Sequence, residues 1–137
     1  MIMGKKMVKV CWLEDEKILQ VLLKEILHES GWLERLQIQW VENGTTALEI
    51  LSATAPDLFV TDLAHPGVDG EELLRELAAK KVKYPILVLS GFPDGQEKKF
   101  RADGKKKFPN LKISVMGKPF EPQELIKKLC AMLRAKR

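Results

Sequence analysis

The sequence of this 137-residue chain predicts an α/β protein with a doubly wound, five-stranded parallel sheet and helices on both faces. Short apolar runs alternate with segments of helical periodicity along the chain, which is the pattern of consecutive β-α units. Three of the apolar runs are nearly continuous, as strands buried between two helical layers must be. Because each β-α-β crossover is right-handed, the helices are expected to cover both faces of the sheet.

The predicted strands are short and rich in apolar and β-branched residues. They cover residues 7–13, 36–41, 58–62, 85–90 and 112–116. The second of them, "LQIQWV", alternates apolar and polar side chains, which is typical of an edge strand with one wetter face. An edge position for the second strand favours the order 2-1-3-4-5 of flavodoxin-like sheets, in which ligands bind beyond the carboxyl ends of the strands, between strands one and three.

Between the strands, apolar residues recur with the spacing of a helix that packs one face on a sheet. The predicted helices cover residues 16–30, 44–55, 70–81 and 121–136, and residues 94–104 are weakly helical at best. In the first helix the expected buried stripe comprises Leu19, Leu22, Leu23 and Ile26. Gly31 ends this helix, and Pro122 lies near the first position of the last helix, where proline is favoured.

Length and composition predict one domain over residues 1–137, with a core at about 7–134. No apolar run approaches the roughly 20 residues of a membrane span, and no signal peptide is recognisable at the start. Cys11 and Cys130 lie in apolar periodic stretches and are interpreted as reduced core residues of a cytoplasmic protein. The net charge of +4 is interpreted as a solvated basic surface, so direct DNA binding and membrane binding are not expected.

Polar residues follow the predicted strands at the edge where a ligand is expected. Glu14 and Asp15 follow the first strand, Asp62 ends the third, Ser90 ends the fourth and Lys118 follows the fifth. Clustered carboxylates repel one another, and a hard divalent cation removes that penalty. Carboxylate and carbonyl oxygens are the ligands that Mg²⁺ prefers, so Glu14, Asp15 and Asp62 predict a magnesium site. The chemistry that uses this set is phosphoryl transfer to Asp62 as the nucleophile, with Ser90 and Lys118 holding the phosphoryl oxygens.

These motifs resemble the receiver domain of two-component response regulators, including its single-domain, chemotaxis-regulator-like members. "LEDE" (13–16) is similar to the acidic pair, "DLAHPGVDG" (62–70) to the phosphoacceptor loop, "PILVLSG" (85–91) to the hydroxyl-bearing strand and "GKPFEPQEL" (117–125) to the Lys-Pro turn. The resemblance implies a phosphorylation switch or phosphorelay carrier that takes the phosphoryl group from a phosphohistidine of a sensor histidine kinase or a phosphotransfer protein. It also implies that the backbone carbonyl of Ala64 completes the metal site, and that the peptide bond between Lys118 and Pro119 is cis.

The resemblance further implies no enzyme activity beyond the chain's own phosphorylation and dephosphorylation, and a downstream protein that docks on residues 91–137. One departure is that the family usually has Tyr or Phe three residues before the lysine, where this chain has Val115. Two alternatives stay open. One is a Mg²⁺-dependent phosphohydrolase with an aspartyl nucleophile, although Ala64 stands where such enzymes place a second acid. The other is a scaffold with the same fold that acts independently of phosphorylation.

Overall fold

The computed structural model describes residues 7–62, 70–91 and 96–134. Within these ranges the strands are β1 (Val8–Leu13), β2 (Leu36–Val41), β3 (Leu58–Thr61), β4 (Ile86–Ser90) and β5 (Ile113–Gly117). The helices are α1 (Lys17–Ser30), α2 (Gly44–Ala53), α3 (Gly70–Ala79), α4 (Gln96–Lys107) and α5 (Pro122–Arg134), with a single 3-10 turn at Leu33–Arg35. Across the described ranges, every helix is too short or too polar to traverse a bilayer.

The five strands form one parallel sheet in the order β2-β1-β3-β4-β5. This confirms the predicted fold class and strand order. In the register of the sheet, Leu13 lies opposite Val41 on one side and Thr61 on the other, and Ser90 lies opposite Gly117. The carboxyl ends of all five strands therefore meet at one edge of the sheet, which is where the site is predicted.

Two apolar layers hold the helices on the sheet, because successive side chains of a strand point to opposite faces. The layer toward α2, α3 and α4 includes Cys11, Leu13, Phe59, Val88 and Val115. The layer toward α1 and α5 includes Val10, Trp12, Leu58, Val60 and Leu87. Burial of this apolar area is the main stabilising contribution to the fold, at roughly 25 cal/mol for each Å² removed from water.

The edge strand β2 has the alternating burial that its sequence predicts, with its ends buried and Gln37 and Gln39 exposed. Trp40 stacks on Trp12 of the neighbouring strand, with ring centroids 5.1 Å apart. The ammonium group of Lys24 in α1 lies 5.5 Å above the Trp40 ring. These contacts stabilise the face of the edge strand that lies toward α1.

Helix α1 differs from its prediction at Leu22, which is 54% exposed and does not belong to the buried stripe. The residues buried by this helix are Gln20, Leu23 and Leu27. Ile18 and Val21 are also on the outer side, 79% and 63% exposed. The apolar surface of α1 is therefore wider than the face that the sheet covers, and periodicity alone does not show where the sheet stops.

Helix α4 is the largest difference from the sequence prediction, since a 12-residue helix stands where only weak helical character was expected. Its sequence, "QEKKFRADGKKK", has few apolar residues and an internal glycine. Tertiary contacts supply the missing stabilisation. Phe100 packs against the core layer, Arg101 donates a hydrogen bond from Nη2 to the Val115 carbonyl of β5 at 3.3 Å, and Phe108 beyond the helix is buried.

The two helix-associated glycines Gly104 and Gly31 are expected to respond oppositely to alanine. A Cβ at Gly104 would meet nothing within 4 Å, so Gly104→Ala should raise the free energy of unfolding by about 1 kcal/mol through helix propensity. Gly31 has φ +83° at the end of α1, so Gly31→Ala should lower it by about 1 kcal/mol. Urea denaturation of the two variants measures both values, and shifts of the same sign would contradict this description of α4.

Candidate functional site

The carboxyl edge of the sheet gathers the predicted polar residues. Glu14 follows β1, Asp62 follows β3, Ser90 is the last residue of β4 and Lys118 follows β5. Because β1, β3, β4 and β5 are consecutive neighbours in the sheet, the residues after their ends lie side by side. Three residues from distant parts of the chain, Glu14, Asp62 and Lys118, are thereby brought into direct contact.

The ammonium group of Lys118 joins the two carboxylates. Its Nζ lies 2.8 Å from Oδ2 of Asp62 and 3.2 Å from Oε1 of Glu14. The three side chains are poorly accessible, with 19% of Lys118, 12% of Asp62 and 1% of Glu14 exposed. Charge-assisted hydrogen bonds of this kind are strong where water is excluded, so the lysine is fixed on Asp62.

Backbone and side-chain hydrogen bonds hold Glu14 in place. Its N–H donates to the Val41 carbonyl at 2.9 Å, and its Oε2 accepts from the N–H of Glu16 at 3.1 Å. The buried amide of Gln20 donates from Nε2 to the Glu14 carbonyl at 2.7 Å. Gln20 was not among the residues predicted from the sequence. The sequence does contain a signal for it, because Gln20 stands three positions before Leu23 and seven before Leu27 and therefore shares their buried face of α1.

Lys118 and Asp62 are fixed in a similar way. The Lys118 N–H donates to the Ser90 carbonyl at 2.8 Å, which places the lysine beside the buried end of β4. The hydroxyl of Thr61 donates to the Asp62 carbonyl at 2.8 Å, a second contact that was not predicted from the sequence. The Lys118–Pro119 peptide bond is cis, as the resemblance implied.

Burial and charge act on this trio in opposite directions. Burial raises the pKa of the Glu14 carboxyl, and the Glu16 amide and Lys118 oppose this rise only in part. Burial would lower the pKa of Lys118, but the hydrogen bond and charge of Asp62, together with those of Glu14, raise it overall. Lys118 is therefore a permanent positive charge at neutral pH. A positive charge held against a carboxylate suits a reaction that brings further anionic oxygens to that carboxylate.

The donor atoms at this edge fit magnesium in their chemistry, because they are carboxylate oxygens, which hard cations prefer. Glu14 and Asp62 share one ammonium group. Asp15, the residue after Glu14, is partly buried. Ala64, whose carbonyl is the fourth predicted ligand, lies outside the described residues. In the ranges that the structure does describe, no three acidic, cysteine or histidine side chains are grouped closely enough to hold a metal ion by themselves.

Comparison with known proteins assigns the chain and its fold to one family. The profile of the response regulator receiver domain matches residues 10–130. The chain therefore belongs to the response regulator receiver domain family, as its motifs predict. The recognition of the family from the sequence is thus confirmed.

Individual relatives agree. The transcriptional regulatory protein TrcR of Mycobacterium tuberculosis is 30% identical over 127 residues, which are 93% of this chain and 46% of TrcR. The chain spans about half the length of the curated relatives that it matches. The receiver domain of the Francisella response regulator 1452 is 24% identical with a TM-score of 0.77, covering 95% of this chain and 99% of that domain.

A further solved structure is the receiver domain of the sensor histidine kinase PA1611 from Pseudomonas aeruginosa PAO1, described with a magnesium ion coordinated in its active site cleft. It is 20% identical with a TM-score of 0.72, covering 93% of this chain and 98% of that domain. At this level of identity the likeness concerns the fold.

The contact between Lys118 and the two acids predicts a large effect of removing the lysine charge. Lys118→Met leaves Glu14 and Asp62 facing each other without a cation, and it should lower the free energy of unfolding by about 3 kcal/mol in metal-free buffer. Lys127→Met, on the exposed side of α5, is the matched control and should change it by no more than about 0.5 kcal/mol. Chemical denaturation measures both, and equal effects would show that the trio does not contribute to stability.

Proposed function

We propose that this receiver domain is a phosphorylation switch or phosphorelay carrier, in which Asp62 accepts a phosphoryl group from a phosphohistidine. The phosphohistidine belongs to a sensor histidine kinase or to a phosphotransfer protein. The observation that carries the proposal is the Lys118 ammonium group 2.8 Å from Asp62, backed by the buried carboxylate of Glu14. Membership of the receiver family supports the same assignment.

The transfer is a displacement at phosphorus. The P–N bond of the phosphohistidine breaks and its electron pair stays on the imidazole nitrogen, while a carboxylate oxygen of Asp62 forms the new P–O bond. The product is an acyl phosphate on Asp62. Lys118 supplies positive charge beside the oxygens that arrive, and the Ser90 hydroxyl at the end of β4 donates a hydrogen bond to one of them. Catalysis here is mostly positioning and charge stabilisation, which a rigid sheet edge provides.

Magnesium is part of the proposal. Glu14, Asp15, Asp62 and the backbone carbonyl of Ala64 would hold the ion. When bound, Mg²⁺ supplies positive charge that neutralises the carboxylates and the transferred phosphoryl group. The magnesium described for the receiver domain of PA1611 supports this choice of metal.

The phosphodonor protein is proposed to dock on the exposed apolar stripe of α1, formed by Ile18, Val21 and Leu22. The stripe begins four residues after Glu14, so a protein bound there lies beside the site. Large apolar side chains that are more than half exposed at spacings i, i+3 and i+4 form a continuous patch on one helix face. Such patches are typical of protein interaction sites.

The phosphorylation signal is proposed to pass to a downstream protein that docks on residues 91–137. The chain is proposed to act on no substrate other than itself. It is further proposed to be cytoplasmic and to bind neither DNA nor a membrane directly. Residues 1–137 are proposed to form a single receiver domain. The phosphohydrolase alternative gains no support, because Ala64 stands two residues after Asp62, where such enzymes place a second acid.

The central experiment is labelling with a small phosphodonor. Acetyl phosphate and Mg²⁺ should add one phosphoryl group to the chain, since the site needs no donor protein for the chemistry itself. Intact-mass spectrometry measures the addition of one phosphate. Asp62→Asn should stay unlabelled, and labelling of this variant at the rate of the parent would place the acceptor elsewhere.

The metal is tested in the same assay. Omission of Mg²⁺ should abolish labelling of the parent. Asp15→Ala should need a Mg²⁺ concentration at least about tenfold higher for half-maximal labelling, since one charged ligand is lost. An unchanged Mg²⁺ dependence would exclude Asp15 as a ligand.

The α1 stripe is tested by comparing a protein donor with a small one. Ile18→Asp should slow phosphotransfer from a phosphorylated histidine phosphotransfer domain about tenfold, because a charge replaces a contact of the interface. Labelling by acetyl phosphate should not change. The matched control for the added charge is Met7→Asp, since Met7 is an exposed apolar residue just before the amino end of β1, at the end of the strand away from the site. Equal slowing by both variants would argue against docking on α1.

A further inference from the structure

Strand β2 forms one edge of the sheet and lacks the features that usually prevent an edge from pairing. Among the described residues no strand lies on its outer side, so its backbone N–H and C=O groups on that side are open to another chain. The strand, "LQIQWV", contains no charged residue and no proline. Its residues align one to one with β1 from end to end, without a bulge. The β2 edge is therefore regular and able to accept a further strand.

The opposite edge strand, β5, has such features. Lys112 precedes it and Lys118 follows it. The carbonyl of Val115 in this strand accepts a hydrogen bond from Nη2 of Arg101 at 3.3 Å. Lysine residues and contacts from a neighbouring helix discourage edge pairing. Of the two edges of the sheet, β2 is thus the one suited to pairing.

Both faces of β2 suit an added strand. Toward α1, Ile38 and Trp40 are half-buried and pack against the apolar layer, which therefore reaches the edge of the sheet and is only partly covered there. Toward α2, the exposed Gln37 and Gln39 line an open groove of about 590 Å³. A strand beside β2 would cover the apolar pair on one face and find room for its own polar side chains on the other.

We propose that two copies of this chain pair through β2, antiparallel about a two-fold axis, to form a continuous sheet with five strands from each copy. The axis is perpendicular to the sheet, so the face that carries Ile38 and Trp40 lies on the same side in both copies. Because each copy uses its only β2 edge, the association closes at two. The proposal goes beyond phosphoryl transfer, since no residue of the proposed site lies in β2.

The side chains of β2 are complementary to those of a second β2 in one register. When the two-fold axis passes at Gln39, each Gln39 lies opposite that of the other copy. Ile38 of each copy then lies opposite Trp40 of the other, which gives two pairs of a β-branched residue with an aromatic residue. Such pairs are favourable across neighbouring strands. The apolar layer toward α1 thereby continues across the interface.

The charges that flank β2 select the same register and favour a second copy over an unrelated chain. Arg35 precedes the strand and Glu42 follows it. With the axis at Gln39, Arg35 of each copy lies one position away from Glu42 of the other, so the opposite charges meet twice. With the axis at Ile38, Glu34 would lie opposite Glu42, and these like charges repel.

Sedimentation equilibrium of the full chain tests the proposal. It should show a monomer–dimer equilibrium with a Kd on the order of 10–100 μM, because two short strands bury less than a standard interface. Asp62→Asn should have the same Kd, so the dimer is tested independently of phosphorylation. A chain that stays monomeric up to about 500 μM would overturn the proposal and leave the edge to an extended segment of another protein.

A charge at the centre of the interface provides the next test. Gln39→Lys places two ammonium groups opposite each other at the axis and should raise the Kd at least about tenfold. Gln123→Lys makes the same change at an exposed position of α5 and should leave the Kd unchanged. Equal effects of the two variants, or a dimer that Gln39→Lys does not weaken, would overturn the proposal.

Disulfide cross-linking tests the register. Cys11 lies opposite Gln39 within one chain, so both single-cysteine variants also carry Cys11→Ala and Cys130→Ala. Gln39→Cys should form a disulfide-linked dimer on mild oxidation, because facing Cα atoms of antiparallel strands are roughly 4.5–5.5 Å apart. Gln37→Cys should not, because its two copies are offset by four residues, or roughly 13 Å. Equal cross-linking at both positions would mean random collision and would overturn the proposal.

Discussion

The ion trio of Lys118, Asp62 and Glu14 is the interaction on which the site depends. Glu14 is almost fully buried, and a buried carboxylate without a counter-charge costs several kcal/mol. Lys118 supplies that charge and at the same time contacts Asp62, so one ammonium group neutralises both carboxylates. The arrangement requires β1, β3, β4 and β5 to be adjacent and parallel, because only then do residues 14, 62, 90 and 118 meet.

Hydrogen bonds to the backbone hold the trio in place, in addition to the contacts between its side chains. Gln20 and Val41 each hydrogen-bond the backbone of Glu14, and the Ser90 carbonyl accepts from the backbone of Lys118. Each contact joins the carboxyl end of one strand to a neighbouring element. A site built on strand ends and held by such contacts keeps its geometry when the surrounding loops change.

Helices α1 and α4, in contrast, match the sheet less closely in their apolar surface. Helix α1 carries more apolar surface than the sheet can bury, and α4 has so few apolar residues that it depends on Phe100 and Arg101 for its packing. Strand β5 connects α4 to the site, since the Val115 carbonyl accepts a hydrogen bond from Arg101 and Lys118 follows three residues later.

The sequence by itself determined the alternation of strands and helices, the strand order and the polar residues at the carboxyl edge. Those properties follow from local periodicity and from the topology of parallel sheets, in which the residue after each strand must lie at the same edge. Tertiary structure alone decided that one lysine serves both acids, that Gln20 holds Glu14, that Leu22 faces solvent and that residues 96–107 form a full helix. These features depend on which surfaces touch across the fold. The periodicity of a segment shows which of its faces is apolar, but the neighbouring elements determine whether that face is covered.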